Sequence, residues 1–164
     1  MTLRLHVLRR RRKLDVARRE LAEVDARRDR LIVSAIALAP SGFHETQDWV
    51  RELPAGVDVE TLGAAVEEAL RRSSEGHQEH EGERFAAQLK AAGVKSWSQY
   101  VRRLASVRVK RQGEAVEVLP FRNRGARQGL HELPEQIEAL ESPDAAALGS
   151  AVFRGLARSN EATP

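Results

Sequence analysis

Residues Asp58–Ser73 read DVETLGAAVEEALRRS, and residues Asp144–Ser159 read DAAALGSAVFRGLARS. The two stretches stand 86 positions apart and agree at 8 of 16 positions. Chance alone gives about one agreement, so the pair reads as an internal repeat. Leu62, Val66 and Leu70 recur at i, i+4 and i+8, as do Leu148, Val152 and Leu156. That spacing draws one apolar stripe along a helix and turns it toward a core. Asp58 is the expected cap of the first helix. Ser142, with Pro143 in the first turn, is the expected cap of the second. Gly63 and Gly149 each cost a helix about 1 kcal/mol against Ala. Glycine at the same place in both copies predicts close approach of another backbone, expected to be a strand.

The flanks of each helix read as β structure. Leu31–Leu38 (LIVSAIAL) is an apolar run of strand length, stopped by Pro40 and Gly42, and Trp49–Leu53 follows as a second strand. In the other half Val107 and Val109 alternate with Arg108 and Lys110. A turn at Gln112-Gly113 leads into Val116–Pro120. This is a hairpin with one wet face, the mark of an antiparallel sheet. Phe121–Gly129 reads as a basic loop, and residues 135–141 fit either a short edge strand or a helical turn. Between the halves, Glu83–Ala92 places Phe85 and Leu89 on one helix face, with Gly93 as its stop. Ser96 then caps a helix bearing Trp97, Tyr100, Val101 and Leu104. Leu14, Ala17, Leu21 and Val24 have helical spacing behind the charge run Arg9–Lys13.

The expected fold is therefore α+β, an antiparallel sheet with covering helices, in which a β-rich unit closed by a helix occurs twice. Residues 1–30 are expected to form a basic arm or helix, and residues 31–160 a single domain. The repeats span about 31–74 and 106–159, with a linker and helices over 75–105.

Composition narrows the function. The chain has 164 residues and no cysteine, which removes disulfides, thiolate metal sites and cysteine nucleophiles. No apolar run reaches the ~20 residues that cross a bilayer, and no secretory signal is legible, so a cytoplasmic protein is expected. Net charge is +3 but arrives in blocks: +6 over residues 1–30, −6 over 43–94, +7 over 95–128 and −4 over 129–164. His77 and His80 form an H-x-x-H inside an acidic stretch without periodic apolar support, read as a solvated linker. His6, His44 and His131 are scattered, with no serine elbow and no phosphate-cradling glycine loop. The residues thus assign no catalytic group, no cofactor and no metal. Arg9–Lys13, with Arg122, Arg124 and Arg127, suit phosphate, which keeps a nucleic-acid-associated protein as the second reading.

The order of the second half resembles the contact-dependent growth inhibition immunity proteins of bacteria (CdiI-like). The stretch Gly93–Leu104, the hairpin over Ser106–Pro120 and the helix Ser142–Ser159 follow the sequence of signatures in that family, and Asp58–Ser73 resembles its other Leu-Gly helix. The resemblance spans roughly residues 30–160. The Arg-rich loop Phe121–Gly129 departs from it, and the first 30 residues have no counterpart. The resemblance implies a protein that performs no chemistry and binds a cognate toxin, usually a nuclease. An inhibitor covering a basic nuclease site needs a steered acidic interface. Glu45, Asp48 and Glu52 follow the first strand, and Glu132, Glu135 and Glu138 stand at the equivalent place in the second half. These six are the expected toxin contacts.

Overall fold

A computed structural model describes residues 19–80 and 82–163. Arg9–Lys13, His6, Leu14 and Ala17 lie outside the described residues. The chain runs β1 (Glu20–Arg27), β2 (Arg30–Leu38), β3 (His44–Pro54), α1 (Val59–Ser74), α2 (Ala86–Ala92), α3 (Trp97–Tyr100), β4 (Ala105–Gln112), β5 (Ala115–Asn123), β6 (Leu130–Glu132), a 3-10 turn (Pro134–Gln136), β7 (Glu138–Glu141) and α4 (Ala145–Ala162). Seven antiparallel strands form one open sheet in the order β3-β2-β1-β4-β5-β6, with β7 also paired to β5. β6 takes the Phe121–Asn123 end of β5 and β7 takes the Ala115–Val118 end, so the two share one edge. The α+β architecture expected from the sequence is the observed one.

The helical expectation for Leu21 and Val24 is corrected. Both lie in β1, which pairs with β2 on one side and β4 on the other, so Glu20–Arg27 is a central strand and Arg28-Asp29 its turn into β2. In β1 the residues Ala22 and Val24 are buried against one face, while Glu23, Asp25 and Arg27 take the other. Tertiary partners, not local spacing, decide the period here.

α1 and α4 lie side by side on one face of the sheet. Leu62, Val66, Leu70, Leu148, Val152 and Leu156 pack there onto Val24, Val33, Val107, Val109 and Val118. The carboxylate of Asp58 accepts from Thr61 N at 2.7 Å, as expected. The second cap is corrected to Asp144, whose side chain accepts from Ala147 N at 2.8 Å. Ser142 precedes Pro143, which disfavours helical backbone at that position. It sits instead at φ 44° with its N–H on Glu114 O.

The glycines approach a helix, not a strand. A Cβ on Gly63 would overlap the Ala145 carbonyl, and one on Gly149 would overlap the Val59 carbonyl. Each glycine thus receives the first turn of the opposite helix. The last matched residue of each stretch also does equivalent work. Ser73 Oγ accepts from Leu21 N (2.9 Å) and donates to Ile36 O (2.5 Å). Ser159 Oγ accepts from Ser106 N (2.9 Å) and donates to Phe121 O (2.6 Å). Each hydroxyl ties a helix end to two neighbouring strands.

The opposite face is half covered. Ile32 meets Ala92, Tyr100, Val101 and Leu104 there. Phe85 does not lie on α2 as expected. It caps the helix at φ 65° and stacks on Trp97, ring centroids 4.7 Å apart. α3 ends at Tyr100 rather than reaching Leu104. Arg103 turns left-handed at φ 56°, and Asn123 Nδ2 takes the freed carbonyls of Val101 (2.6 Å) and Leu104 (3.0 Å).

Candidate functional site

The six expected contact acids fall into two groups. Glu45, Asp48 and Glu52 lie on β3. Glu132 lies on β6, Glu135 in the 3-10 turn and Glu138 on β7. The sheet order separates the groups by four strands. Within them, Glu45 and Asp48 meet at His80, Glu52 stands apart at Arg30, and Glu132 and Glu138 turn to different partners, Arg108 on β4 and the arginines of α4.

Five of these carboxylates already face a basic side chain, an arginine in three cases and a histidine in two. Glu45 stands 3.2 Å from His77 Nε2, and Asp48 2.7 Å from His80 Nδ1. Glu52 pairs with Arg30 at 2.9 Å, and Glu132 with Arg108 at 3.7 Å. Glu138 bonds Arg154 and stands 3.3 Å from Arg158. The Arg154 hydrogen bond, ahead of the surrounding charges, holds the Glu138 carboxyl below its ordinary range. Glu135 has no ion pair among the described residues.

The H-x-x-H stretch is not a solvated linker. His77 and His80 lie largely covered against β3, and Gln78 N donates to Gln47 Oε1 at 2.7 Å. Gln47 is itself buried, and its carbonyl accepts from Gln88 Nε2 at 3.0 Å. The linker and α2 are thereby fastened to the edge strand. The signal was the matching spacing of Glu45-x-x-Asp48 and His77-x-x-His80. Among the described residues no group of three His, Cys, Asp or Glu side chains is arranged to hold a metal ion.

A charged ladder crosses the open half of the second face. Arg108 on β4 stands 3.1 Å from Glu23 on β1, and Lys110 stands 3.1 Å from Glu117 on β5. The Arg108 guanidinium also lies 5.1 Å from the Phe121 ring centroid. At one end of this face the β2–β3 hairpin exposes Leu38 and Phe43, the latter 74% exposed. Burial first, then the charges of Arg108 and Arg19, lower the pKa of neighbouring His44. Deeper in the sheet, Asp25 Oδ2 accepts from Tyr100 Oη at 2.6 Å. Burial, then the charge of Glu23, raises the Asp25 carboxyl to about 7. This pair is shut inside the second face and opens on no described cleft. Sequence reading missed it because Asp25 and Tyr100 are 75 residues apart.

These features define an open, one-sheet α+β chain with charged, cation-paired edges and one exposed aromatic tip. No family model matches the chain. No curated protein matches it either. Two solved structures share the fold. One is a protein of unknown function from Neisseria meningitidis, with a TM-score of 0.70 at 18% identity, covering 85% of this chain and 94% of that one. The other is a chain of a CdiA-CT/CdiI toxin and immunity complex from Yersinia pseudotuberculosis, with a TM-score of 0.61 at 14% identity, covering 85% of this chain and 97% of that one. Among the described residues no helix is long and apolar enough to cross a membrane.

Proposed function

We propose that this chain is an immunity protein that neutralises a cognate contact-dependent growth inhibition toxin by binding it. The observation that carries the reading is the likeness over 97% of a chain from a toxin–immunity complex, at a TM-score of 0.61. The sequence resemblance of Gly93–Ser159 supports the same role. In this reading the protein acts in the cytoplasm, uses no cofactor and transforms no substrate. Its toxin is a nuclease whose active site it covers. The acids of the β6–β7 edge are the favoured contacts, because Glu135 holds no internal cation and Glu132 only a distant one, at 3.7 Å. Unpaired charge steers association more than it sets affinity. Phe43 supplies an aromatic anchor of the kind that dominates interface energies.

The test is a double charge reversal, Glu132→Lys with Glu135→Lys. The variant is expected to fold as the parent does, to associate with the purified toxin domain about 10-fold more slowly at low salt, and to protect toxin-expressing cells less well. Full protection by the variant removes these contacts from the proposal. Failure of the parent to bind the toxin domain encoded beside it removes the proposal itself.

A further inference from the structure

Some arginines of this chain are neutralised in place and others are not. Arg30, Arg71, Arg72, Arg108, Arg111, Arg154 and Arg158 each lie within 4 Å of a carboxylate. Arg102, Arg103 and Arg124 have no ion pair and no side-chain hydrogen bond among the described residues. These three meet at one end of the sheet, where β4 begins and β5 ends. They line a cleft of about 450 Å³ together with Asn123, Asn160 and Thr163.

The cleft is held rigid by a single buried side chain. Asn123, 4% exposed, donates from Nδ2 to Val101 O and Leu104 O, fixing the turn that carries Arg102 and Arg103. Its Oδ1 accepts from Gly125 N at 2.8 Å, fixing the loop that carries Arg124. Its backbone N–H reaches Thr163 Oγ1 at 3.2 Å, fixing the end of α4. Three walls are thereby locked to one residue before any ligand arrives, which lowers the ordering cost of binding. The carbonyls at the end of α4 would repel an anion, but Thr163 Oγ1 covers Ser159 O at 2.9 Å. The Asn160 side-chain amide has no partner among the described residues and is left to donate.

A second observation points the same way. Arg27 is 6% exposed, and its Nε has no hydrogen-bond partner. After burial, the strongest influence on it is the charge of Arg28, and Arg30 and Arg102 add to that repulsion. Of these, Arg30 is paired with Glu52, while Arg27, Arg28 and Arg102 have no ion pair among the described residues.

We propose that this cleft binds a phosphate group, held by the guanidinium groups of Arg102, Arg103 and Arg124. One carboxylate would offset only one of three charges. A phosphate monoester carries about −1.5 to −2, and the successive diesters of a strand bring one charge each; both present oxygens in several directions to planar forks. The phosphate can come from a free nucleotide or from the backbone of an RNA strand. The cleft lining holds no aromatic ring, and nearby Trp97 is stacked between Phe85 and Tyr100, so recognition there rests on phosphate. The site is independent of the toxin-binding reading.

The experiment is fluorescence anisotropy of the full chain with a short labelled oligoribonucleotide across a salt series. Sodium phosphate, adenosine monophosphate and a glutamate-rich peptide serve as competitors at matched ionic strength. Arg102→Glu with Arg124→Glu is expected to weaken RNA binding about 10-fold or more and to lower the salt slope by about 1. Both positions are exposed, and an unchanged thermal transition confirms the fold. Arg51→Glu with Lys90→Glu makes the same change in net charge elsewhere and is expected to weaken binding less than about 3-fold. Competition by phosphate and the mononucleotide identifies a single-phosphate pocket. Competition by RNA alone identifies a strand-tracking groove. Either supports the proposal. Absence of binding, equal loss in both double variants, or equal competition by the peptide overturns it.

Discussion

Replacing Asp25 by Asn isolates the energetics of the one buried carboxyl among the described residues. Asp25 is 4% exposed, accepts from Tyr100 Oη at Oδ2 and leaves Oδ1 without a partner. Burial, then the nearby Glu23 charge, lifts its carboxyl from 3.8 to about 7. The unfolded chain releases this proton near the lower value, and the folded chain keeps it to the higher one. Between the two, the folded state binds more protons, so stability from this group is complete below about pH 4 and is lost as pH rises through about 7. At about 1.4 kcal/mol per pH unit, the full loss is about 4 kcal/mol. Asparagine is neutral throughout, and its carbonyl oxygen can still accept from Tyr100. The variant is therefore expected to match the parent within about 1 kcal/mol near pH 4 and to exceed it by about 4 kcal/mol near pH 8. Urea unfolding of both proteins across that range measures the difference. Taking the difference cancels groups shifted the other way, such as Glu138 beside Arg154. A difference that stays flat from acid to alkaline pH refutes the reasoning.

Gly149→Ala is expected to destabilise by about 3 kcal/mol in thermal or urea unfolding, because the added methyl meets backbone that no rotamer change can move, against a helix-propensity gain of about 1 kcal/mol. Gly63→Ala is expected to cost a similar amount, whereas Gly56→Ala, whose added methyl meets nothing within 4 Å, stays within about 1 kcal/mol of the parent. Ser159→Ala and Ser73→Ala each strip partners from a buried N–H and a buried C=O and are expected to cost about 3 kcal/mol apiece. Exposed Ser74→Ala stays within about 0.5 kcal/mol in the same assay.

Several elements were legible because local chemistry and tertiary demand agreed. The Leu-Gly helices carried their stripes in sequence, and the β4–β5 hairpin carried its alternation and its turn glycine. β1 was not legible. Its Glu23, Asp25 and Arg27 look like a solvated charge pattern, and only Arg108 and Tyr100, far along the chain, make them fit a central strand. The glycines announced a close approach without naming its partner, since a missing Cβ says nothing about what fills the space. Of the candidate site, the residue types were legible and their state was not. Glu45 and Asp48 read as free acids until the linker histidines were seen lying on them. The arginine cleft was half legible. Arg124 stood out in its loop, but Arg102 and Arg103 join it only through the folded turn that Asn123 holds.

The central β1–β4 ladder pairs seven positions, from Glu20 with Arg111 to Ala26 with Ala105, and one strand on each side, β2 and β5, shields it from the outer strands. The interlocked helix glycines sit above the same middle of the molecule. Exposed positions of the outer strands, such as Glu135 in the turn between β6 and β7, can change without touching that inner scaffold, whereas Leu53 on β3 and Leu140 on β7 pack into it. A fold organised this way separates an interior that must stay constant from surface positions that are free to drift.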